Sequence, residues 1–334
     1  MISFDIKLFS ELIEKHDTIL VTSHFSPDGD AIGSLLGLGL YLQKLGKTVH
    51  MAVPNEYPNF LKWMPEHDSI FIYENEPEKL KTLSQECGLA FILDYNNLSR
   101  IKDMADIFDT EKQDIVLIDH HQQPDDFTLN ISHTDASSTC ELVAQILWQY
   151  NADLINANIA DCLYTGLVTD TGSFKYNSTT ALTHELGAKL MEKGARAAFI
   201  QEKINNSGSY KRLRLIGYAL SEKMEMLANN KVCLISLSKK ELERYDYQKG
   251  DTEGLVNYGL SIEGVIMAVF IREDENLVKM SFRCVGEMDV NQFARTYFNG
   301  GGHIRAAGGA SEKTLPETIA DFKAAVSEIQ DQLK

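Results

Sequence analysis

The first half of the chain alternates short β-rich runs with helical patterns, and this alternation limits the fold more than any other feature. Apolar and β-branched residues at 18–22, 89–93 and 114–118 predict buried strands. Apolar side chains recur at helical spacing over 31–45, which predicts a helix there. Strands that alternate with helices predict an α/β fold, with a mainly parallel sheet flanked by helices.

Further elements follow the same alternation. They are a strand at 47–53 and helices at 138–150 and 158–168. Ser137 or Ser138 is the expected cap of the helix at 138–150, and Glu141 is placed to complete a capping box.

The pattern becomes more helical and polar after about residue 187. The stretch NNSGSYKRLR joins a Gly/Ser/Asn break to a basic patch, which is typical of a linker. Strand patterns at 232–237, 264–272 and 277–285 then precede a glycine-rich loop and a terminal helix. We predict a catalytic domain at 1–190, a helical linker at 191–225 and a smaller C-terminal α/β domain at 226–334. The active site is expected in the cleft between the two domains.

Composition excludes several classes of protein. The net charge of -16 argues against binding of long nucleic acid, which requires a basic track. No apolar run is long enough to span a bilayer, and the N-terminus lacks the order of a signal peptide, so we expect a cytoplasmic protein without a membrane partner. The 5 scattered cysteines predict buried, reduced thiols. A homodimer is expected on base rates alone.

Acidic and histidine residues follow the predicted strands. They are His24, Asp28 and Asp30 after the first strand, Asp94 after the strand at 89–93, and Asp119, His120 and His121 after the strand at 114–118. Asp170, after a helix, is a fourth contributor. The carboxyl ends of parallel strands line one crevice, so these side chains are expected to converge.

Carboxylates mixed with imidazoles suit Mn²⁺, or Mg²⁺ with fewer imidazoles. Two such ions about 3.5–4 Å apart can clamp the attacking and leaving oxygens of a phosphoryl transfer. Taken singly, each residue also has a structural interpretation. The Asp28-Gly29-Asp30 tripeptide is typical of a turn or a helix cap, and a lone histidine is usually a hydrogen-bonded structural residue.

The motifs HFSPDGDAIGS, ILDYNNLSR, LIDHH and GLVTDTGSF resemble, in order, the four motifs of the DHH phosphoesterase family. The run NGGGHIRAAGG resembles the glycine-rich signature of the DHH-associated C-terminal domain. The similarity covers nearly the whole chain, and the nanoRNase/pAp-phosphatase subgroup is the nearest match.

The resemblance implies a role for each motif residue. One metal would be bound by His24 and Asp28, the other by Asp30, His120 and Asp170, and Asp94 would bridge both. Two residues are assigned to catalysis: Asp119 would orient the histidines, and His121 would face the substrate phosphate. The implied substrate-binding residues are Arg283, Gly300, Gly301, Gly302 and His303.

Two positions depart from the family pattern. Cys284 stands where serine is frequent, and Arg305 lies at a variable position, where a phosphate contact and a solvated side chain both stay open. Tyr258 and Phe298 are candidates for stacking on a base.

The implied function is hydrolysis of short RNA or DNA oligonucleotides (nanoRNA) or of 3'-phosphoadenosine 5'-phosphate (pAp), with two Mn²⁺ ions and Mg²⁺ or Co²⁺ as substitutes. One alternative is a soluble cyclic-di-AMP or pApA phosphodiesterase. An alternative of another class is a non-catalytic nucleotide-binding protein that retains the fold.

Overall fold

The computed structural model of this protein describes residues 2–206, 208–275, 277–330 and 333. It divides into two compact units, Met1–Ser207 and Gly208–Lys334. This division falls inside the segment predicted as a linker. In the part of the chain that is described, no helix is both long and apolar enough to cross a membrane. All 5 cysteines are buried and free, as predicted.

The first unit contains six strands and seven α-helices among its described residues. The strands are β1 (Thr18–Ser23), β2 (Thr48–Val53), β3 (Ile70–Ile72), β4 (Leu89–Leu93), β5 (Asp114–Asp119) and β6 (Leu129–Ser132). The helices are α1 (Ile6–Lys15), α2 (Gly29–Lys44), α3 (Pro77–Gln85), α4 (Thr139–Asn151), α5 (Ala157–Asp170), α6 (Ala181–Glu192) and α7 (Ala197–Asn205). Short 3-10 turns connect them, the longest of which spans Leu98–Ile107 with a kink at Lys102.

All pairings in the first sheet are parallel, in the order β3-β2-β1-β4-β5-β6. Alternate residues point to opposite sides of the sheet, and its strands are buried on both faces because helices and turns cover both sides. On β4, Phe91 packs with α1, α2 and α5, whereas Ala90 and Ile92 pack with Leu80 of α3 and the 3-10 turns. The predicted parallel sheet flanked by helices is therefore confirmed.

Close packing of α2 against α5 fixes the start of α2. A Cβ at Gly33 would lie 2.6 Å from the carbonyl oxygen of Cys162, and one at Gly29 would lie 2.4 Å from the Thr169 side chain. Only glycine permits this approach, which brings the N-terminus of α2 beside the C-terminal end of α5. The residues Asp28, Asp30 and Asp170 lie at these two helix ends.

The second, smaller unit contains a mixed sheet. Its strands are β7 (Met224–Leu227), β8 (Val232–Leu237), β9 (Met267–Glu273), β10 (Val278–Cys284), β11 (Gly301–His303) and β12 (Ala306–Ser311). Its helices are α8 (Tyr210–Glu222), α9 (Lys239–Arg244), α10 (Leu255–Leu260), α11 (Val290–Tyr297) and α12 (Leu315–Glu328). The order is β11-β12-β10-β9-β8-β7, in which β8 and β9 pair in parallel and the other pairs are antiparallel.

Two local predictions are wrong. The glycine-rich run is a hairpin of β11 and β12 rather than a loop, since its glycines pair in register with Ala306–Gly308. Such a run has no side chains from which a strand pattern can be recognised.

At α4, Ser138 caps the helix by accepting from the backbone N–H of Glu141 at 3.0 Å, but the Glu141 carboxylate does not complete the capping box. It accepts instead from Ser137 and Thr183.

Candidate metal centre

The acidic and histidine residues of the first unit meet where the strand order reverses. β1 and β4 are neighbours in the sheet, and β2 and β5 lie outside them. Chain connections on either side of this point diverge, which leaves a crevice at the carboxyl ends of the strands. His24 follows β1 and Asp94 follows β4, and their side chains face each other across this crevice.

Asp94 lies at the centre of the cluster. It is only 2% exposed and has a backbone φ of +66°, which is uncommon for a residue with a side chain. Its Oδ2 lies 3.3 Å from His24 Nε2, and its Oδ1 lies 3.4 Å from His120 Nε2. The two oxygens of one carboxylate therefore face two different histidines, as a bridging ligand requires.

Three groups of ligand atoms share Asp94. They are His24 with Asp28, Asp30 with His120, and Asp119 with His121, and in each group the ligand atoms lie within 4.8 Å of one another. Asp170 joins the second group, because its Oδ2 lies 3.4 Å from His120 Nε2. The structure thus brings together the whole set of predicted metal ligands.

Asp28 and Asp30 both have a helix partner. Asp28 Oδ1 accepts from the backbone N–H groups of Asp30 and Ala31, so this side chain also caps α2. Asp30 is fully buried, and its two oxygens accept from the backbone N–H groups of Thr139 at 2.6 Å and Cys140 at 2.8 Å. The N-terminus of α4 therefore holds the Asp30 carboxylate in place.

Backbone carbonyls orient two of the histidines. The Nδ1–H of His24 donates to the carbonyl of Phe25 at 3.0 Å, and that of His120 donates to the carbonyl of Ala136 at 3.3 Å. Each ring then directs Nε2 toward the carboxylates, which is the usual orientation of metal-binding histidines.

Asp119 contacts His121 rather than His120. Its Oδ1 lies 2.7 Å from His121 Nδ1, while its Oδ2 is buried and lacks a hydrogen-bond partner among residues 2–206. The structure therefore fits a role of Asp119 in orienting His121. His120 is oriented instead by the carbonyl of Ala136.

Burial and mutual charge shift the pKa values of the cluster. Burial, and then the charge of Asp94, raises the pKa of Asp30 to about 7. Burial and the charge of Asp30 raise the pKa of Asp170 well above its usual range. Burial also opposes the charging of His24, but its hydrogen bond to Asp94 outweighs this effect and raises its pKa to about 9. Burial opposes ionisation of Asp94, yet hydrogen bonds from His120 and His24 hold its pKa well below the usual range.

The donor set fits divalent cations. Buried carboxylates crowd together here, and the raised pKa of Asp30 reflects first its burial and then the negative charge of Asp94. A cation would compensate this charge and reverse the shift. The buried Oδ2 of Asp119, without a hydrogen-bond partner in the described first unit, also fits a cation beside this cluster.

Sequence reasoning missed three residues at this site. Thr139 donates its hydroxyl to Asp94 Oδ1 at 2.9 Å, and Thr183 and Glu141 form a buried pair beside it. The run SSTCE was interpreted only as a helix cap. A threonine directly after the capping serine was the available signal, because a first-turn side chain points toward whatever the helix N-terminus faces.

The predicted nucleotide residues lie in the second unit. Arg283 on β10 and His303 on β11 both pair with Ala306, so they occupy one row across the sheet and share a face. A Cβ at Gly300 would lie 2.1 Å from the carbonyl oxygen of Gly308, so only glycine fits there.

The neighbours of this row refine the remaining predictions. The N–H of Gly302 donates to the buried side chain of Asn291, a residue that the sequence analysis missed. Arg305 donates to the carbonyl of Met288 at 3.0 Å, so it is neither free in solvent nor fully available to a phosphate. Phe298 is 5% exposed and packs in the core, which excludes it as a stacking residue, whereas Tyr258 is 47% exposed.

Comparison with known proteins identifies the family. The model of the DHH family, N-terminal domain, matches residues 18–167, and that of the DHHA1 domain matches residues 229–332. The chain therefore belongs to the DHH family of metal-dependent phosphoesterases, which confirms the family predicted from the motifs.

Individual relatives are similar over most of this chain. It is 30% identical to the bifunctional oligoribonuclease and PAP phosphatase NrnA of Thermus thermophilus, over 87% of this chain and 83% of that protein. It is 27% identical to the cyclic-di-AMP phosphodiesterase GdpP of Bacillus subtilis, over 95% of this chain but 49% of that protein. An exopolyphosphatase-related protein from Bacteroides fragilis has a crystal structure with a TM-score of 0.94 and 41% identity, covering 98% of this chain and 97% of its own.

Proposed function

We propose that this protein is a two-metal, Mn²⁺-dependent phosphoesterase that hydrolyses short oligonucleotides and pAp. The single observation that carries the proposal is Asp94, whose two oxygens face His24 and His120 at 3.3 and 3.4 Å. Similarity to the NrnA protein of Thermus thermophilus along most of both chains supports the substrate class. Mn²⁺ is favoured over Mg²⁺ because the donor set contains imidazoles, and Co²⁺ would substitute.

In this proposal one ion would be held by His24, Asp28 and Asp94. The other would be held by Asp94 together with three further residues: Asp30, His120 and Asp170. Two bound divalent ions would supply Lewis-acid charge and an activated water for attack on phosphorus.

The other residues position the substrate. The Asp119 carboxylate fixes the ring of His121 through Nδ1, which orients this histidine for a role at the substrate phosphate or the leaving group. Arg283 and His303 share one face of the second sheet, which suits them to hold the phosphate and nucleotide of a short chain end. The backbone of Gly300, Gly301 and Gly302 lies beside this row and, in this proposal, contacts the nucleotide. An active site in the cleft between the two domains, and a homodimeric assembly, remain predictions.

A second candidate is a cyclic-di-AMP or pApA phosphodiesterase. The similarity to the GdpP protein of Bacillus subtilis covers 95% of this chain and therefore includes both units. The chain spans about half the length of that relative, so the activity of the whole relative does not transfer directly.

One activity panel separates these candidates. The protein is incubated with Mn²⁺ and, in parallel, pAp, pApA, a short RNA, cyclic-di-AMP and pyrophosphate, and products are resolved by chromatography. We expect turnover of pAp and of the short oligonucleotides, loss of both activities with a chelator, and recovery with Mn²⁺. Cleavage of cyclic-di-AMP alone would select the second candidate. Binding of nucleotides without any turnover would select the non-catalytic alternative.

A further inference from the structure

Three of the described helices begin with the same sequence device, a serine or threonine cap followed by glutamate at the third helical position. They are α4, α9 and α12. In α9 the carboxylate of Glu241 accepts from the backbone N–H of its cap at 2.8 Å, and in α12 that of Glu317 does so at 3.0 Å. In α4 the carboxylate of Glu141 instead accepts from Ser137 Oγ at 2.6 Å and Thr183 Oγ1 at 2.7 Å.

Burial also distinguishes Glu141 from its two counterparts. Its exposed fraction is 3%, whereas Glu317 is exposed and Glu241 is intermediate. Burying a carboxylate is costly unless hydrogen bonds replace its hydration, and a capping box does not require burial. Stabilisation of the α4 terminus alone therefore does not account for the position of this side chain.

The turn of α4 that carries Glu141 also holds two proposed metal ligands. The N–H groups of Thr139 and Cys140 bind both oxygens of Asp30, and the Thr139 hydroxyl binds Asp94 Oδ1. A rotation of this turn would move all three donors together.

The partner of Glu141 on the other side is the start of α6. Thr183 Oγ1 accepts from the backbone N–H of Thr180 at 3.1 Å and donates to Glu141, so the hydroxyl is engaged on both sides. The segment that enters α6 is the one that leaves Asp170 at the end of α5. Glu141 therefore links the turn holding Asp30 and Asp94 to the segment that follows Asp170.

We infer that Glu141, held by Ser137 and Thr183, is a positioning residue that fixes the relative placement of the carboxylates of Asp30 and Asp94. This inference rests on the proposed metal-binding role of those two residues. Loss of the contact between Glu141 and Thr183 would leave the ligands present but less well ordered. Mutation of residues that hold metal ligands typically weakens metal affinity by about 10–100-fold.

The test measures Mn²⁺ affinity directly, by electron paramagnetic resonance of free Mn²⁺ during titration of the protein. Thr183→Val removes the hydroxyl at nearly constant volume, and Thr183→Ser restores it. Thr318→Val is the matched control, because Thr318 is also fully buried in the first turns of a helix and donates its hydroxyl to Ser311. We expect roughly tenfold weaker Mn²⁺ binding for Thr183→Val. Thr183→Ser and Thr318→Val should bind Mn²⁺ as the unchanged protein does.

Thermal unfolding distinguishes positioning from general stability. A merely structural role would lower the melting temperature equally with and without Mn²⁺, so the rise caused by Mn²⁺ would be unchanged. Positioning predicts a smaller rise for Thr183→Val. If that variant does not fold, Glu141→Met decides the matter, because it retains the length of the side chain and removes the oxygen that accepts from both Ser137 and Thr183.

Unchanged Mn²⁺ affinity in a folded Thr183→Val or Glu141→Met protein would overturn the inference. Failure of the proposed function looks different. In that case the unchanged protein and an Asp94→Ala variant would bind Mn²⁺ equally well, whatever the residue at 183.

Discussion

The two sheets of this protein have six strands each, yet they collect functional residues in different ways. In the first sheet all strands are parallel, so their carboxyl ends lie at one edge, and residues as distant as His24 and His120 meet there. In the second sheet antiparallel pairing aligns strands that are close in sequence, so Arg283 and His303 occupy one row. Parallel topology gathers ligands at a point, whereas antiparallel register spreads contacts along a surface.

The functional residues of the two sheets also differ in burial. Asp30, Asp94 and His120 are buried and shift one another's pKa, whereas Arg283 and His303 are half-buried. A buried, charged cluster suits small cations, and a half-exposed row that contains an arginine suits a larger anionic substrate. This difference in burial predicts that the first unit binds the metal ions and that Arg283 and His303 of the second unit bind the substrate.

The largest effect is expected for Asp94→Ala. Removal of the carboxylate shared by both proposed metal sites should reduce turnover by on the order of 10³-fold for pAp and short RNA alike. Steady-state kinetics with Mn²⁺ measures this. Asp5→Ala is the control, since Asp5 only caps α1 by accepting from the N–H of Leu8. Near-normal turnover of both substrates by Asp94→Ala would remove the shared-ligand assignment.

A smaller and different effect is expected for Arg283→Ala. Loss of a charged phosphate contact should raise KM for pAp by about 10–100-fold. Mn²⁺ affinity should stay the same, because this arginine belongs to the second unit. Arg244→Ala, in the last turn of α9, is the matched arginine control. A parallel loss of Mn²⁺ affinity in Arg283→Ala would break the division between the two regions.

Two helical glycines should respond in opposite directions to alanine. A Cβ at Gly166 would lie 2.2 Å from Cys140 Sγ and 2.6 Å from Asp30 Oδ1, so Gly166→Ala should lower the free energy of unfolding by about 1–3 kcal/mol. At Gly217 no atom lies within 4 Å of the added Cβ, and Gly217→Ala should raise it by up to about 1 kcal/mol. Urea denaturation measures both. Equal changes in the free energy of unfolding for the two variants would show that the packing around α5 is less rigid than the structure implies.

The smallest effect concerns acid stability in the second unit. Burial opposes ionisation of Glu241, but hydrogen bonds from Tyr218, Ser238 and Lys223 outweigh it and lower its pKa to about 2. A lowered pKa in the folded state adds stability above the unfolded value, near 4.5, and this stability is lost as pH falls toward 2. Glu241→Gln should therefore be less stable than the unchanged protein at neutral pH, with the difference vanishing near pH 2. Denaturant unfolding at several pH values tests this, and a difference that persists at pH 2 would contradict it.

Much of the first unit could be predicted because its strands are short apolar runs that end in charged residues. β1, β4 and β5 are where the pattern puts them, and the ligand candidates follow each strand. The glycine hairpin of β11 and β12 could not be predicted, since strand periodicity is carried by side chains that glycine lacks. Phe298 was misjudged because an aromatic residue beside a glycine run looks the same in sequence whether it faces ligand or core.

The sequence by itself determined the fold class, the family and the chemical types of the candidate ligands, because periodicity and motifs are local properties. Only the tertiary structure decided which oxygen of Asp94 faces which histidine, and that Asp119 contacts His121. It alone revealed that Glu141 leaves its helix cap to bind Ser137 and Thr183. The contacts of Asp94 with the two histidines and of Glu141 with Thr183 join residues far apart in the chain. Their partners are fixed by tertiary packing, which no local pattern specifies.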